Sequence, residues 1–251
     1  MKLLDTHCHL GQYEEPSEVL RKAREANVSI VVATESPEEY KRLKTRIGSK
    51  SAVQVGLGLH PGSHAIRSSS QLSRFFRFLP ETTWISEIGL DYGRSTSETD
   101  RRSQRRVLES ILQHSLSRSK LVSFHSRGAS ADVVALAADN GIHGVLHWYS
   151  GDSRTAALAV KAGLYFSINE VMLRSSRGSK VIAEVPRSRL LLETDGPFTT
   201  SAGLPLWPSA LSELVRQIAG RWDTEPKVVA DQLNANVGAL YRESGISSPA
   251  S

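Results

Sequence analysis

The residues most able to do chemistry begin at Asp5-Thr6-His7-Cys8-His9, directly after the apolar pair Leu3-Leu4. In an extended strand side chains alternate between faces, so His7 and His9 share one face and Cys8 takes the other. Two imidazoles about 7 Å apart along a strand end can converge on one metal ion. Further imidazoles and carboxylates follow short apolar runs along the chain. These are His60 after Leu57-Gly58-Leu59, Glu87 and then Asp91 after Trp84-Ile85, His125 after Val122-Ser123-Phe124, His147 after Val145-Leu146, and Asp195 after Leu190-Leu191-Leu192. Each is a donor type that binds zinc, manganese or magnesium. Taken singly, each has a plain structural reading. A strand-end histidine can simply be hydrogen-bonded, Asp195-Gly196-Pro197 can be a turn, and Glu87 can be a loop charge.

The elements that must position these residues read as alternating strands and helices. Strands are expected near 3–4, 29–33, 52–59, 84–88, 121–125, 144–147, 164–168 and 190–194. Helices are expected from Pro16, over 37–46, 71–79, 99–118, through 133–136, over 156–162, 180–184, 209–221 and 226–241. Eight strand–helix pairs in 251 residues fit a (β/α)8 TIM barrel, a fold whose active sites gather at the C-terminal ends of the strands. A doubly wound open sheet is the alternative, but the first turn lacks its glycine fingerprint. No linker-like segment divides the chain, so residues 1–245 read as one domain and 246–251 as a frayed tail.

In such a barrel His7, His9, Glu87, His125, His147 and Asp195 meet at one end. One ion needs only three or four protein ligands, so six point to two divalent ions (Zn, Mg or Mn), with Glu87 able to bridge them. His60 closes a strand beside this set, whereas His64, His114 and His143 close none, and His114 is expected inside a helix.

Composition narrows the partners. The chain is 39% apolar and 23% charged, with a formal net charge of +5 and one cysteine. No apolar stretch approaches the ~20 residues of a membrane span, and a lone cysteine forms no internal disulfide, so a cytoplasmic protein without a membrane partner is expected. The positive charge favours an anionic partner such as phosphate or nucleic acid.

Five motifs together resemble the TatD family of metal-dependent deoxyribonucleases. They are Asp5-Thr6-His7-Cys8-His9-Leu10, Gly58-Leu59-His60-Pro61, Glu87-Ile88-Gly89-Leu90-Asp91-Tyr92, Leu146-His147-Trp148-Tyr149-Ser150-Gly151 and Glu193-Thr194-Asp195-Gly196-Pro197. The resemblance spans nearly the whole chain. It implies an amidohydrolase-type barrel and hydrolysis of DNA phosphodiesters, often from a 3′ end, on single-stranded or end-accessible DNA. It also implies that His7, His9, Glu87 and Asp195 hold one ion and that Glu87, His125 and His147 hold the other. His60 then touches ligands or phosphate, and Glu87, Asp195 and His60 are the candidate catalytic residues.

The chain departs from the family where many members have Thr-Asp-Ala-Pro, and again at Trp148-Tyr149, where a phenylalanine is usual. In these variants it resembles the TatD-type component of Qat antiphage defence cassettes. That implies partner proteins of a cassette and leaves open which end or strand is attacked.

Around the ligands, Arg127 is expected to meet a phosphate or a neighbouring carboxylate. Trp148, Tyr149 and Tyr92 stack on bases or pack under loops. The stretch Arg174 to Lys180, with Arg177 at its centre, is either a phosphate loop or a solvated one. Cys8 reads as a small core residue. Two other classes use the same residues: an amide hydrolase or deaminase, disfavoured by the basic charge and the lack of a proton-shuttle glutamate soon after His125, and a catalytically idle component of a defence complex.

Overall fold

The computed structural model describes residues 1–48, 52–63, 68–93 and 96–247, so His64 and the tail residues 248–251 lie outside the described residues. Eight parallel staves form the sheet framework. They are β1 (Leu3–Cys8), β2 (Val28–Val32), β3 (Val53–Val55) continued by β4 (Leu57–Gly58), β5 (Trp84–Gly89), β6 (Leu121–His125), β7 (Gly144–Leu146), β8 (Tyr165–Ile168) and β9 (Leu190–Leu192). Hydrogen-bonded order runs β1-β2-β3 in one sheet and β4 through β9 in the other.

The third stave, continuous by sequence pattern, is broken at Gly56. Its first half pairs with β2 and its second with β5. Thr34 spans the break: its Oγ1 donates to the Gly56 carbonyl (2.7 Å) and accepts from the Gly58 amide (3.0 Å). A Cβ on Gly58 would collide with the Thr34 carbonyl oxygen, which is why this position is glycine. The ring closes between β9 and β1, where Thr6 Oγ1 donates to the Leu192 carbonyl (2.8 Å) and the Asp195 amide to the His7 carbonyl (2.9 Å). The fold is therefore the expected TIM-barrel type.

Ten helices surround the staves among the described residues: α1 (Pro16–Glu25), α2 (Pro37–Ile47), α3 (Ser69–Phe78), α4 (Glu98–Gln113), α5 (Ser130–Asp139), α6 (Ser153–Lys161), α7 (Glu170–Arg174), α8 (Ser176–Glu184), α9 (Leu211–Trp222) and α10 (Pro226–Glu243). Side-chain caps set several starts: Ser36 accepts from the Glu39 amide, Ser97 from Asp100 and Asp152 from Thr155. Three expectations need correction. The long fourth helix stops at Gln113, because His114 turns extended and its Nδ1 accepts from the Leu116 amide (3.3 Å) while its ring stacks on Phe76. The stretch from Arg174 to Lys180 is helical rather than a loop, since Ser175 ends α7 and caps α8 by accepting from the Gly178 amide (3.0 Å). Its run of serines and arginines lies between Met172, Leu173, Val181 and Ile182, all buried. Finally, Ile246 is not frayed: its amide donates to the Tyr241 carbonyl (3.1 Å) and its side chain joins a packed cluster.

That cluster plugs the N-terminal end of the barrel. Val31, Trp84, Leu121, Val145, Tyr165 and Leu191, one from each of six staves, pack with Leu240 and Tyr241 of α10. The Tyr241 hydroxyl accepts from Trp84 Nε1 and Gln54 Nε2, both at 2.9 Å. Counting two residues onward from Leu121, Val145 and Leu191 gives Ser123, His147 and Glu193, so the inner face turns polar one layer above the plug. No helix among the described residues is long and apolar enough to cross a membrane.

The broken stave yields a test. Gly58→Ala is expected to lower the unfolding free energy by about 4 kcal/mol or more, because backbone rather than a mobile side chain must move. Chemical denaturation of the variant showing wild-type stability would refute the close crossing.

Candidate metal centre

Above the polar layer five imidazoles converge on one buried carboxylate. Glu87 Oε1 lies 2.8 Å from His7 Nε2, 2.9 Å from His147 Nε2 and 3.9 Å from His9 Nε2, while Oε2 lies 3.2 Å from His60 Nε2 and 3.6 Å from His125 Nδ1. Asp195 Oδ1 completes the group, 3.4 Å from His9 Nε2 and 3.7 Å from His7 Nε2. The expected ligands are thus brought together. Three sets of potential ligand atoms are compact enough for an ion: His7, His9 and Asp195; His7, Glu87 and His147; and His60, Glu87 and His125.

Backbone irregularities aim these side chains. Register along β5 and β6 advances from Ile85↔Val122 to Ile88↔Phe124, so β5 carries one extra residue. This bulge inverts the alternation set by Trp84 and lets Glu87 face inward while Ile88 joins the apolar core. Glu87 (φ 50°), Trp148 (φ 36°) and Asp195 (φ 52°) all occupy the left-handed region. Strained conformations at non-glycine residues persist where surrounding structure fixes them. Here the Trp148 amide donates to Glu193 Oε1 (2.9 Å), and Asp5 Oδ1 accepts from the His7 amide (3.2 Å) and the Thr194 amide (3.0 Å).

Hydrogen bonds on the far side of the rings decide which nitrogen faces the centre. Ser123 Oγ lies 2.7 Å from His7 Nδ1, leaving Nε2 inward. Asp91 Oδ2 lies 3.1 Å from His125 Nε2, leaving Nδ1 toward Glu87. Such outer partners fix tautomers in metal sites. His60 behaves differently. Its Nδ1 accepts from the Gly62 amide (3.0 Å), so in the neutral ring Nε2 carries the proton and donates toward Glu87. Burial pulls both His7 and His60 down to about 4, which keeps these rings neutral near pH 7. Burial also lowers His125, but bonds to Asp91 and Glu87 outweigh it and raise the ring to about 9. Burial likewise opposes ionisation of Glu87; the surrounding His147, His125 and His7 more than offset it and hold the carboxyl well below its usual range.

The donor set fits divalent metal. Glu87 Oε1, Asp195 Oδ1 and His125 Nδ1, all facing the centre, are buried without a hydrogen-bond partner. Buried polar atoms left in that state are costly unless something else engages them.

The site floors a cavity of about 550 Å³ whose walls include Arg127, Trp148, Ser150, Phe198 and Glu35. Arg127 and Trp148 are both on these walls. Tyr149 is buried, its hydroxyl donating to the Asp152 carbonyl (2.7 Å), so of its two expected roles it takes packing. Tyr92 lies under Arg101, whose guanidinium sits 5.0 Å from its ring centre. Arg174 is engaged by Glu170 and by Ser201 Oγ (3.0 Å), leaving Arg177 and Lys180 to line a neighbouring cavity of about 580 Å³. Cys8 is buried with Sγ 3.8 Å from the Gly196 carbonyl. The departure at Gly196 has a steric cause, since the Tyr13 hydroxyl, which donates to the Leu206 carbonyl, occupies with that carbonyl the space of a Cβ.

Sequence reasoning missed Ser123, Glu193, Phe198 and Glu35. Ser123 and Glu193 sit two residues before His125 and Asp195, so strand alternation could have found them. Phe198, half exposed with its ring centroid 4.7 Å from that of His9, and Glu35 carry no such signal.

Comparison with known proteins agrees with this geometry. Residues 4–242 match the TatD related DNase family. The chain is 30% identical over 214 residues to the human deoxyribonuclease TATDN3, covering 78% of each protein. It is 28% identical over 260 residues to the uncharacterized metal-dependent hydrolase YabD of Bacillus subtilis, covering 96% of this chain and 99% of that protein. The crystal structure of YJJV, a TatD homolog from Escherichia coli, superposes with a TM-score of 0.84 at 25% identity over 96% of this chain and 98% of that one. The fold and the site define a metal-dependent hydrolase. The chain belongs to the TatD-related DNase family.

Glu87→Gln is expected to give a folded protein with less bound metal and turnover lower by orders of magnitude, because it removes the buried negative charge on which the five imidazoles converge. Elemental analysis, turnover and thermal unfolding on one preparation check this; wild-type turnover with undiminished metal contradicts it.

Proposed function

We infer that this enzyme hydrolyses DNA phosphodiester bonds, working from an accessible end of a single strand and using two divalent ions. The observation that carries the reading is the convergence of His7, His9, His125, His147, Glu87 and Asp195 at the floor of a cavity rimmed by a guanidinium and two aromatic rings. His7, His9, Glu87 and Asp195 would hold one ion; Glu87, His125 and His147 would hold the other. When bound, such ions supply Lewis acidity and offset the charge of a phosphoryl group. Zinc, manganese and magnesium all suit this donor set.

The chain's own residues then have separable roles. Glu87 and Asp195 provide the negative charge of the centre, and His60 donates its Nε2 proton toward Glu87, fixing that carboxylate in place. Arg127 meets a phosphate at the cavity wall, and Trp148 and Phe198 offer faces for bases. Ser150 lines both cavities, and the Arg177 guanidinium donates to its carbonyl (3.3 Å), so the strand passes from the reaction cavity over Ser150 toward Arg177 and Lys180. Arg174 contributes little, being held by Glu170. The resemblance at Trp148-Tyr149 and Gly196 supports a cytoplasmic role in antiphage defence beside partner proteins of a cassette; loss of phage protection on Glu87→Gln in the intact cassette checks that role.

Two measurements address the chemistry. Exhaustive chelation should abolish hydrolysis of end-labelled DNA and a divalent ion should restore it; full activity after verified metal loss excludes the reading. Binding of single-stranded DNA should weaken steeply with salt, and replacing Arg177 and Lys180 together with alanine should lower the salt slope by roughly 1 to 2. Arg174→Ala should leave that slope unchanged. A flat salt dependence in the wild type would transfer the assignment to a small uncharged amide substrate.

A further inference from the structure

Glu35 lines the reaction cavity, yet it belongs to none of the compact sets of potential metal ligands. Its backbone is fixed on both sides: the amide donates to Glu39 Oε2 (2.8 Å) and the carbonyl accepts from the His60 amide (3.0 Å). The side chain is 37% exposed, and its Oε1 stands 4.0 Å from His9 Nδ1, beyond hydrogen-bonding distance. A carboxylate held at this place faces the space above the centre.

Its position around the barrel matters more than its nearest neighbour. Glu35 follows β2, the second of eight staves, whereas Trp148 and Ser150 follow β7, the sixth. The two lie half a circumference apart. Arg127 follows the fifth stave, and Arg177 lies beyond the seventh. Among the described residues lining the cavity Arg127 is the cationic side chain besides the histidines, and it belongs to the Ser150 side. The cavity is therefore polarised, with the Arg127 guanidinium on one wall and the Glu35 carboxylate opposite. Glu39 stands buried behind that wall, holding the Glu35 amide rather than lining the cavity.

A polynucleotide carries one negative charge on every backbone repeat. A strand guided by Arg177 and Arg127 and crossing the centre would bring its next phosphate toward Glu35, where like charges repel. A strand that ends there presents a sugar hydroxyl instead, and a carboxylate accepts a hydrogen bond from a hydroxyl. We propose that Glu35 is an end-selecting residue, which admits a terminus bearing a free hydroxyl and disfavours a phosphate at the same place. The proposal rests on the phosphodiesterase reading and adds to it the group that makes cleavage end-dependent.

The test uses full-length protein, wild type and Glu35→Gln, on one single-stranded oligonucleotide in four forms: hydroxyl-ended, 3′-phosphorylated, 5′-phosphorylated and closed into a circle. Bis(p-nitrophenyl) phosphate, which has no chain to extend, is the reference substrate. The wild type is expected to favour the hydroxyl-ended strand over the circle and over one phosphorylated form. In Glu35→Gln this preference should fall about tenfold or more, equivalent to about 1.4 kcal/mol, through faster cleavage of the disfavoured forms. Metal content is measured in parallel, because a carboxylate that merely positions His9 would lower metal and slow all five substrates alike. An unchanged preference in Glu35→Gln overturns the proposal whatever the overall rate, as does a wild type indifferent to ends. Failure of the phosphodiesterase reading has its own signature, no hydrolysis of the reference substrate by wild type with zinc, manganese or magnesium, and the proposal falls with it.

Discussion

A buried carboxylate faced by five imidazoles is the constraint on which this structure turns. Glu87 cannot be stable in isolation at such depth, since an ionised group removed from water needs charge or hydrogen bonds close by. The rings of His7, His9, His60, His125 and His147 lie within 4 Å of it, yet several of their nitrogens are left without partners. His7 and His147 even stack face to face, with centroids 3.9 Å apart and planes 4° from parallel. An arrangement so crowded with lone pairs is a poor protein core and a good cradle for cations.

Reaching that arrangement demands local irregularity. A regular β5 would present Ser86 where Glu87 is needed, and regular ends to β7 and β9 would not turn Trp148 and Asp195 into left-handed geometry. The barrel tolerates these distortions because neighbouring staves lock them. Asp5 holds Thr194 on one side, while Glu193, raised well above the usual carboxylate range by burial and then by Asp195, takes the Trp148 amide together with Ser167 and Asn169. Function and packing are thus layered. The apolar plug around Trp84 and Tyr241 stands below, a polar layer of Ser123, Ser167 and Glu193 above it, and the imidazoles over both.

Much of this was legible in the residues themselves. Histidines and carboxylates closing successive apolar runs need only strand alternation and a closed barrel to be placed together, and His7, His9, His125, His147 and Asp195 follow from that alone. Glu87 was found by type and motif, but its inward aim depends on a bulge that no residue near it announces. The first half of the helix over Ser176–Glu184 was hidden because glycine, serine and arginine mask a short apolar stripe. His114 could not be placed as a helix terminator, since its capping role lies in a ring nitrogen bonding back to its own chain. Glu35 left no trace, because a polar residue after a strand is the commonest thing a barrel contains.

The two hydrogen-bonded sheets meet along two seams, one at the break in the third stave and the other where β9 closes on β1. Each seam relies on side chains, Thr34 with Ser86 on one flank and Thr6 with Asp5 on the other, in place of a full ladder. His7 and His9 belong to the three-stranded sheet, whereas Glu87, His125, His147 and Asp195 belong to or follow strands of the six-stranded one. A cation held between them would act as a rivet through a hoop whose joints are otherwise light. Metal bound at this place would then stiffen the barrel mouth as well as serve its chemistry, because any ligand bound only by the closed ring stabilises that ring.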